Sequence, residues 1–189
     1  KLGNRADRWW FQEFIATKKP YITKSYYSVA DQKPVVTIVH GIDNKSNQLN
    51  GVMMVDLDLT SIQTMVEQFS LGEGSYAFLI DGEGVVVAHP DTQQIEEIYN
   101  YSNLTKTVLE TDASGNTIIG ENDVPLTKEV DFFVPKDLHQ MIQAAMNGES
   151  DYGTYKDKDG KKYLCTYKSI QIPGKSDPWS VLVIQDETV

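Results

Sequence analysis

The stretch GSYAFLIDGEGVVVAHPD, residues 74–91, contains two apolar runs on either side of a short polar turn. SYAFLI and VVVAHP consist largely of β-branched, aromatic and other apolar residues, which favour strands. The DGEG between them supplies the glycines that tight hairpin turns use. The stretch therefore predicts a β-hairpin, and the LGEG at its start marks where a second folding unit begins.

Residues 92–189 are expected to complete a helix-and-sheet unit around this hairpin. A short helix is predicted at 102–110 and a long polar loop at 111–130, where glycines interrupt the chain. A further helix ends at Asn147-Gly148, and its apolar face consists of Leu138, Met141, Ile142 and Ala145. Three strands are then predicted, at 152–155, 163–170 and 179–184.

The N-terminal residues predict a helix, three strands and a second helix. The first helix covers 7–17, where aromatic and apolar residues repeat at helical spacing, and Pro20 closes it. A hairpin is predicted from strands at 21–29 and 34–42, followed by a polar loop at 43–50 and a third strand at 51–59. Thr60 and Gln63 can form a capping box for the second helix, with Asp58 as a competing cap. The apolar stripe of that helix consists of Ile62, Met65, Val66 and Phe69.

The order of elements predicts an α+β protein made of two PAS-like antiparallel-sheet units in tandem. The C-terminal unit, 71–189, has the order β-β, helices, β-β-β, which predicts a five-stranded antiparallel sheet with helices on one side. The N-terminal unit, 1–70, has the order helix, β-β-β, helix. That is the last part of the same pattern without its first two strands.

The composition is that of an acidic, ordered globular protein. The 189 residues carry a formal net charge of −10, and 40% of them are hydrophobic and 10% aromatic. This length can bury a sizeable core, and this composition argues against disorder. Because an acidic surface repels phosphate backbones, binding to nucleic acid is not expected.

Neither a disulfide nor a membrane-spanning segment is predicted. Cys165 is the single cysteine, and its apolar neighbours in KYLCTY indicate a buried small residue. No apolar stretch approaches the roughly 20 residues that a membrane helix needs, and no signal peptide is visible. Since an aromatic helix pattern begins almost at once after Lys1, we expect the protein to have further segments upstream and downstream.

The order of these motifs resembles that of the double-Cache sensor domain, which consists of two PAS-like units outside the bacterial membrane. DRWWF, residues 7–11, is similar to the family's Arg-x-Trp-aromatic helix start. SYYSVADQKPVVTI (25–38) resembles its Tyr-x-Asp hairpin, and LNGVMMVDLDL (49–59) resembles its Gly-Val-x-x-x-Asp strand. Residues 74–91 resemble the opening of its membrane-proximal unit, and WSVLVI (179–184) fits the last strand of that unit.

The resemblance implies the extracytoplasmic ligand-binding part of a bacterial transmembrane receptor, and not an enzyme. Most such receptors are methyl-accepting chemotaxis proteins, and histidine kinases and diguanylate cyclases are minorities. The N-terminal unit would be the membrane-distal one, which binds an amino acid or small carboxylate without metal or cofactor. The full-length receptor would be a membrane-anchored homodimer. Because family members begin with a long helix and two more distal strands, the distal unit is expected to be incomplete here.

A zwitterionic ligand needs a fixed cation for its carboxylate and a fixed anion for its ammonium. By resemblance, Arg8 and Trp10 occupy the positions whose guanidinium and indole contact the carboxylate, and Phe11 is the aromatic residue that follows. Tyr26 matches the hairpin tyrosine, and Asp56 matches the aspartate at the end of the third strand. An unpaired carboxylate would be costly at this apolar strand end, so the partner of Asp56 is a ligand ammonium, a lysine or the start of the following helix.

Two positions depart from the amino-acid-binding pattern. Ser28 stands where that subgroup has an aspartate, and Gly3 stands where it has a tyrosine. One of two carboxylates on the ammonium side is therefore absent, which leaves room for a carboxylate or a less cationic ligand. Ser28 joins the five residues above as a ligand-binding candidate.

Two other classes of function stay open. A hydrolase using Asp56 or His89 would need convergent residues, because no nucleophile elbow, HExxH or paired carboxylate motif is present. A structural spacer would not respond to small molecules at all. The three histidines lack the spacing of metal ligands, and DKDGKK lacks the alternating oxygens of a calcium loop, so we predict no metal site and a structural role for His89.

Overall fold

The computed structural model describes residues 5–30, 32–68 and 72–187. Its N-terminal part is a four-stranded antiparallel sheet preceded and followed by a helix. In order, the elements are α1 (Trp9–Thr17), β1 (Tyr21–Ile22), β2 (Tyr26–Tyr27), β3 (Pro34–Asp43), β4 (Leu49–Asp58) and α2 (Thr60–Glu67). Strand β3 lies in the middle, with β1 and β2 along one edge and β4 along the other. The predicted helices and strands of this part are present.

The predicted strand at 21–29 is interrupted, because its backbone turns to other partners. Ser25 donates its N–H to the buried carboxylate of Asp81 at 3.1 Å instead of to a neighbouring strand. Thr23 still donates its N–H to the carbonyl of Thr37 at 2.9 Å, but its hydroxyl and not its carbonyl accepts the N–H of Thr37 at 2.9 Å. The strand is therefore divided into β1 and β2 of two residues each. The hydrogen bond from Ser25 to Asp81 also holds this hairpin to the C-terminal part of the chain.

Helix α1 covers the N-terminal sheet through a small aromatic core. Trp10 and Phe14 are buried on it and pack with Tyr21 and Val39 of the sheet. Lys18 ends the helix in the left-handed conformation, with φ 55°, and donates its N–H to the carbonyl of Phe14 at 2.7 Å. The hydroxyl of Tyr21 donates to the carbonyl of Trp10 at 2.7 Å, so the sheet also holds the start of α1.

Helix α2 begins at the competing cap and not at the predicted capping box. The carboxylate of Asp58 accepts the N–H of Thr60 at 2.8 Å. Gln63 is only 6% exposed, and its amide pairs with the backbone of His89. It donates to the His89 carbonyl at 2.6 Å and accepts the His89 N–H at 2.7 Å. The capping-box prediction is wrong because Gln63 is used in this tertiary contact.

The C-terminal part contains the five-stranded antiparallel sheet that the sequence predicts, in the order β10-β11-β12-β5-β6. Its elements are β5 (Ser75–Ile80), β6 (Val86–Ala88), α3 (Gln93–Glu96), β7 (Tyr99–Asn100), β8 (Thr105–Leu109), β9 (Thr127–Asp131), α4 (Lys136–Met146), β10 (Ser150–Lys156), β11 (Lys162–Ile170) and β12 (Trp179–Asp186). The opening hairpin is therefore confirmed as β5 and β6. Helix α4 buries its predicted apolar face, which consists of Leu138, Met141, Ile142 and Ala145.

A third sheet, β7-β8-β9, lies where a helix at 102–110 and a loop at 111–130 were expected. The helix prediction is wrong because β8 is TKTVL, whose β-branched Thr105, Thr107 and Val108 fit a pleated strand better than a helix. Strand β9 pairs along it from Thr105↔Asp131 to Leu109↔Thr127. All residues of β9 are exposed, so no apolar alternation in its sequence indicates a strand.

One buried apolar cluster joins the two parts of the chain. Val36 of β3 and Leu59 before α2 belong to the same cluster as Phe78 and Ile142. Cys165 is also in it, fully buried as predicted, and burial raises the pKa of its thiol to about 12. Of the predicted α2 stripe, Ile62 and Val66 pack against this cluster, Met65 is 64% exposed, and Phe69 lies outside the described residues. No helix in the described part of the chain is long and apolar enough to cross a membrane.

His89 should make the stability of the fold depend on pH. It is 6% exposed, its ring contacts Tyr76 and Phe78, and its Nδ1 accepts the N–H of Asp91 at 2.9 Å. Burial lowers the pKa of His89 from 6.5 to about 4. Because the folded state holds the neutral ring, the contribution is complete above pH 6.5 and is lost as the pH falls towards 4. Between pH 8 and pH 5 we expect the free energy of unfolding to drop by about 2 kcal/mol relative to a His89→Asn variant.

Urea denaturation of both proteins across this pH range measures the difference, in which the contributions of other titrating groups cancel. A difference that does not change with pH would contradict the buried, neutral state of His89.

Candidate functional site

A cavity of about 650 Å³ lies between the start of α1, the N-terminal sheet and the β8–β9 region. Its volume is in the range of pockets that hold small molecules. Among the described residues, the charged ones that line it come from the N-terminal part: Arg5, Asp7, Arg8 and Asp56. From the C-terminal part it is lined by uncharged residues: Ile98, Thr107, Val124, Pro125 and Thr127. The rest of the lining is Trp9, Trp10, Ser25, Tyr26, Tyr27, Ser28, Val29, Ala30 and Met54.

The structure brings five of the six predicted site residues together at this cavity: Arg8, Trp10, Tyr26, Ser28 and Asp56. They come from three places in the sequence, the start of α1, the β2 hairpin and β4. Phe11 does not line the cavity. It packs against the N-terminal core, with its ring 6.2 Å from that of Trp10. Gly3 lies outside the described residues.

A chain of hydrogen bonds joins Tyr26 to Asp56 through Thr37. The hydroxyl of Thr37 donates to the Asp56 carboxylate at 2.6 Å, and its oxygen lies 2.7 Å from the Tyr26 hydroxyl. Since Thr37 uses its one hydrogen on Asp56, the Tyr26 hydroxyl is the donor to Thr37. Burial is the largest cause that raises the pKa of Tyr26, which keeps this donor protonated. Thr37 and Asp56 face each other directly in the β3–β4 ladder.

Asp56 differs from the expectation in its surroundings. Asp56 is exposed to solvent, so its carboxylate does not need an ionic partner within the protein. It also does not cap α2, because Asp58 does. Only one of its two carboxylate oxygens takes part in the bond from Thr37. Asp56 also forms a side-chain hydrogen bond with Tyr26, whose pKa this bond raises. A carboxylate has about four lone-pair sites, so Asp56 can still accept a hydrogen bond from a ligand cation.

Arg8 lies directly before α1, with extended backbone angles and a half-buried side chain. Arg8 and Tyr26 both line the cavity, and the positive charge of Arg8 lowers the pKa of Tyr26 against the larger effect of burial. The first N–H groups of a helix lack acceptors within the helix, and the helix dipole favours an anion there. The guanidinium and the start of α1 therefore place positive potential at the same side of the cavity.

Ser28, which replaces the aspartate of the amino-acid-binding pattern, is 4% exposed. Its hydroxyl accepts the N–H of Ala30 at 3.1 Å, and its own N–H bonds to the carbonyl of Lys33 at 2.8 Å. The side chain thus stabilises the turn after β2. It adds no negative charge to the cavity.

Sequence reasoning missed Thr37 and the C-terminal side of the cavity. A threonine in the β-branched run PVVTIV has no feature that distinguishes it from its neighbours. Val124, Pro125 and Thr127 fall in the segment expected to be a loop, and Thr107 in the segment expected to be a helix. Their approach to the cavity depends on pairing of β8 with β9 and on contact between segments far apart in sequence. No local signal predicts that approach.

The sequence profile of the Cache domain family matches residues 1–189. The methyl-accepting chemotaxis protein PscA of Pseudomonas syringae pv. tomato is 29% identical over 88 residues, which are 47% of this chain and 14% of PscA. The methyl-accepting chemotaxis protein PctB of Pseudomonas aeruginosa is 27% identical over 116 residues, which are 58% of this chain and 18% of PctB. The chain therefore spans less than a fifth of the length of these curated relatives.

Solved structures show the same fold at low sequence identity. The extracellular domain of the histidine kinase mmHK1S-Z2 superposes with a TM-score of 0.68 at 16% identity, over 99% of this chain and 58% of that one. The ligand-binding domain of PctB from Pseudomonas aeruginosa, in complex with L-Arg, superposes with a TM-score of 0.59 at 16% identity, over 100% of this chain and 64% of that one.

Proposed function

Since the chain belongs to the Cache domain family, we propose that it is the ligand-binding part of a double-Cache sensor domain on the extracytoplasmic side of a bacterial membrane. In this proposal residues 1–70 form the membrane-distal unit and residues 71–189 the membrane-proximal unit. The complete protein is a methyl-accepting chemotaxis protein, anchored in the membrane as a homodimer. The distal unit binds an amino acid or small carboxylate.

The observation that carries the proposal is the distribution of charge in the cavity. Among the described residues, two arginines and two aspartates line it, and these four charges balance, as a zwitterion requires. Arg8 and the start of α1 suit a carboxylate, because a guanidinium presents two parallel donors. Asp56 suits the ammonium, since Thr37 orients its carboxylate from the opposite strand.

A histidine kinase sensor is the second candidate for the complete protein. The TM-score to the histidine kinase domain, 0.68, exceeds the 0.59 to PctB, whereas the sequence relatives are chemotaxis proteins. Both candidates need the same ligand cavity and differ in the output domain. Sequencing the gene downstream of Val189 separates them.

The test of ligand binding is calorimetry on the purified protein with each L-amino acid and with the 2-hydroxy acid of the same side chain. The proposal predicts that at least one of these compounds binds at the cavity. If that compound is an amino acid, its hydroxy acid, which lacks the ammonium, should bind more weakly. A protein that binds none of these compounds contradicts the proposal. Turnover of a bound compound would instead favour an enzyme.

Asp56→Asn should remove the preference for an ammonium. The change keeps the size of the side chain and the acceptor for Thr37 but deletes the negative charge. We expect affinity for the amino acid to fall about tenfold or more, since hydrogen bonds to charged groups contribute about 1.5–3 kcal/mol. Affinity for the matching hydroxy acid should stay within about twofold, as measured by the same calorimetry.

Asp58→Asn is the matched control, because it makes the same chemical change two residues away, at the start of α2 and outside the cavity. It should leave both affinities unchanged. If Asp56→Asn weakened the amino acid and the hydroxy acid equally, the carboxylate would not be the ammonium partner.

A further inference from the structure

Strands β8 and β9 and the segment between them form an ordered arm and not a loose loop. We call residues 105–131 the arm. Glu110 donates its N–H to Leu126 at 2.9 Å, Leu126 donates to Ile118 at 2.8 Å, and Ile118 donates to Glu110 at 2.9 Å. At the tip, the carboxylate of Asp112 accepts backbone N–H groups from Ser114 and Asn116 at 2.8 and 3.0 Å. Backbone hydrogen bonds therefore hold the arm in one shape along its length.

The arm is attached to the strand that carries the predicted ligand residues. The hydroxyl of Tyr27 on β2 lies 2.8 Å from the carbonyl of Thr107 and 2.7 Å from that of Glu96, which precedes the arm. Burial, with the nearby Glu97 and Glu96, raises the pKa of Tyr27, so the hydroxyl keeps its proton as the donor. Tyr27 stands between Tyr26 and Ser28, both of which line the cavity.

The arm contributes only uncharged residues to the described lining of the cavity. The residues that line it from the arm carry no charge: Thr107, Val124, Pro125 and Thr127. The charged residues of the described lining come from the N-terminal part. Val124 is 37% exposed although it is apolar. The exposed apolar surface of Val124 is stabilised when an apolar group of a ligand covers it.

From this arrangement we infer that the arm is the side-chain subsite of the cavity, and that the ligand is an amino acid with an uncharged, largely apolar side chain. This inference rests on the proposed function and extends it, because it assigns the class of amino acid and a specificity role to the arm. Arg8 and Asp56 hold the two charged ends of the ligand. The side chain extends towards Val124 and Pro125, so a charged side chain would be desolvated there without a partner. One ligand thereby contacts both parts of the chain.

The test compares the wild-type protein with Val124→Lys and with a matched control, Val130→Lys, by calorimetry with L-isoleucine, L-glutamate and L-lysine. Val130 lies on the same arm and is 39% exposed, close to the 37% of Val124, but it does not line the cavity. Wild-type protein should bind L-isoleucine about tenfold or more tightly than either charged amino acid. Val124→Lys should reverse the preference in favour of L-glutamate, with a loss of about tenfold for L-isoleucine. Val130→Lys should behave as the wild type.

The outcomes separate this inference from the proposed function. If Val124→Lys kept the wild-type order of affinities while Arg8→Ala still abolished binding, the cavity would be the ligand site and the arm would not be its side-chain subsite. Tighter wild-type binding of L-glutamate or L-lysine than of L-isoleucine would overturn the assigned class. Absence of binding by all three compounds would overturn the inference, and a full amino-acid series without binding would overturn the proposed function as well.

Discussion

Replacing Arg8 with alanine should weaken amino-acid binding about 100-fold or more. The guanidinium is the half-buried cation at the start of α1, and its loss leaves the ligand carboxylate without its charged donor. Truncating one partner of a hydrogen-bonded charge pair costs about 2–5 kcal/mol, which is the basis of the expected loss. Calorimetric titration of the amino acid that binds the wild-type protein measures the effect.

Arg8→Lys is the matched variant for this prediction. It keeps the positive charge but loses the planar pair of donors, so its affinity should lie between those of the wild type and Arg8→Ala. Lys18→Ala, which removes a cation at the other end of α1, should have no effect on binding. Thermal unfolding without ligand must be similar in all variants. Full binding by a folded Arg8→Ala protein would show that the carboxylate is held elsewhere.

Asp81→Ala should lower the free energy of unfolding by about 4 kcal/mol, because three backbone donors, two of them buried, would lose their acceptor. The carboxylate is 2% exposed and accepts the backbone N–H groups of Glu83 and Val85 at 2.9 Å and of Ser25 at 3.1 Å. The first two bonds close the β5–β6 turn, and the third holds the break between β1 and β2. Burial raises the pKa of Asp81 to about 6, so urea denaturation is best measured above pH 7, where the group is ionised.

Asp112→Ala is the control for this prediction. Asp112 likewise accepts backbone N–H groups at a turn, from Ser114 and Asn116, but it is exposed, so water can replace it. Its removal should cost far less stability than that of Asp81. Asp81→Asn should fall between the wild type and Asp81→Ala, because one amide oxygen remains as an acceptor. Equal losses from Asp81→Ala and Asp112→Ala would contradict the role of burial.

The loss of the Asp81 carboxylate should also affect the ligand cavity. Ser25, which donates to it, lines that cavity. Hydrogen exchange at the Ser25 amide should therefore speed up in Asp81→Ala, and by less in Asp81→Asn. A local opening at this point would loosen the hairpin that carries Tyr26 and Ser28 without changing either side chain.

Five of the six predicted ligand residues line one cavity, and the sixth, Phe11, packs beside Trp10 in the N-terminal core. The resemblance supplied these positions, since nothing in the local pattern of DRWWF or of the β2 hairpin indicates that they meet. Thr37, which orients Asp56, lies opposite it only through the register of β3 and β4. The arm reaches the cavity from about a hundred residues further along the chain.

The sequence by itself determined the strands and helices in which buried apolar residues form a regular local pattern. The continuous apolar run of β5, the alternating burial of β12 and the face of α4 that Ile142 occupies are local patterns that burial in one core imposes on strands and helices. Only the tertiary structure decided the exposed strand β9, the use of Gln63 against His89 and the uncharged wall at Val124. Each of these depends on a hydrogen bond or contact with a distant segment. Such a contact produces no periodic pattern in the local sequence, so the local sequence does not predict it.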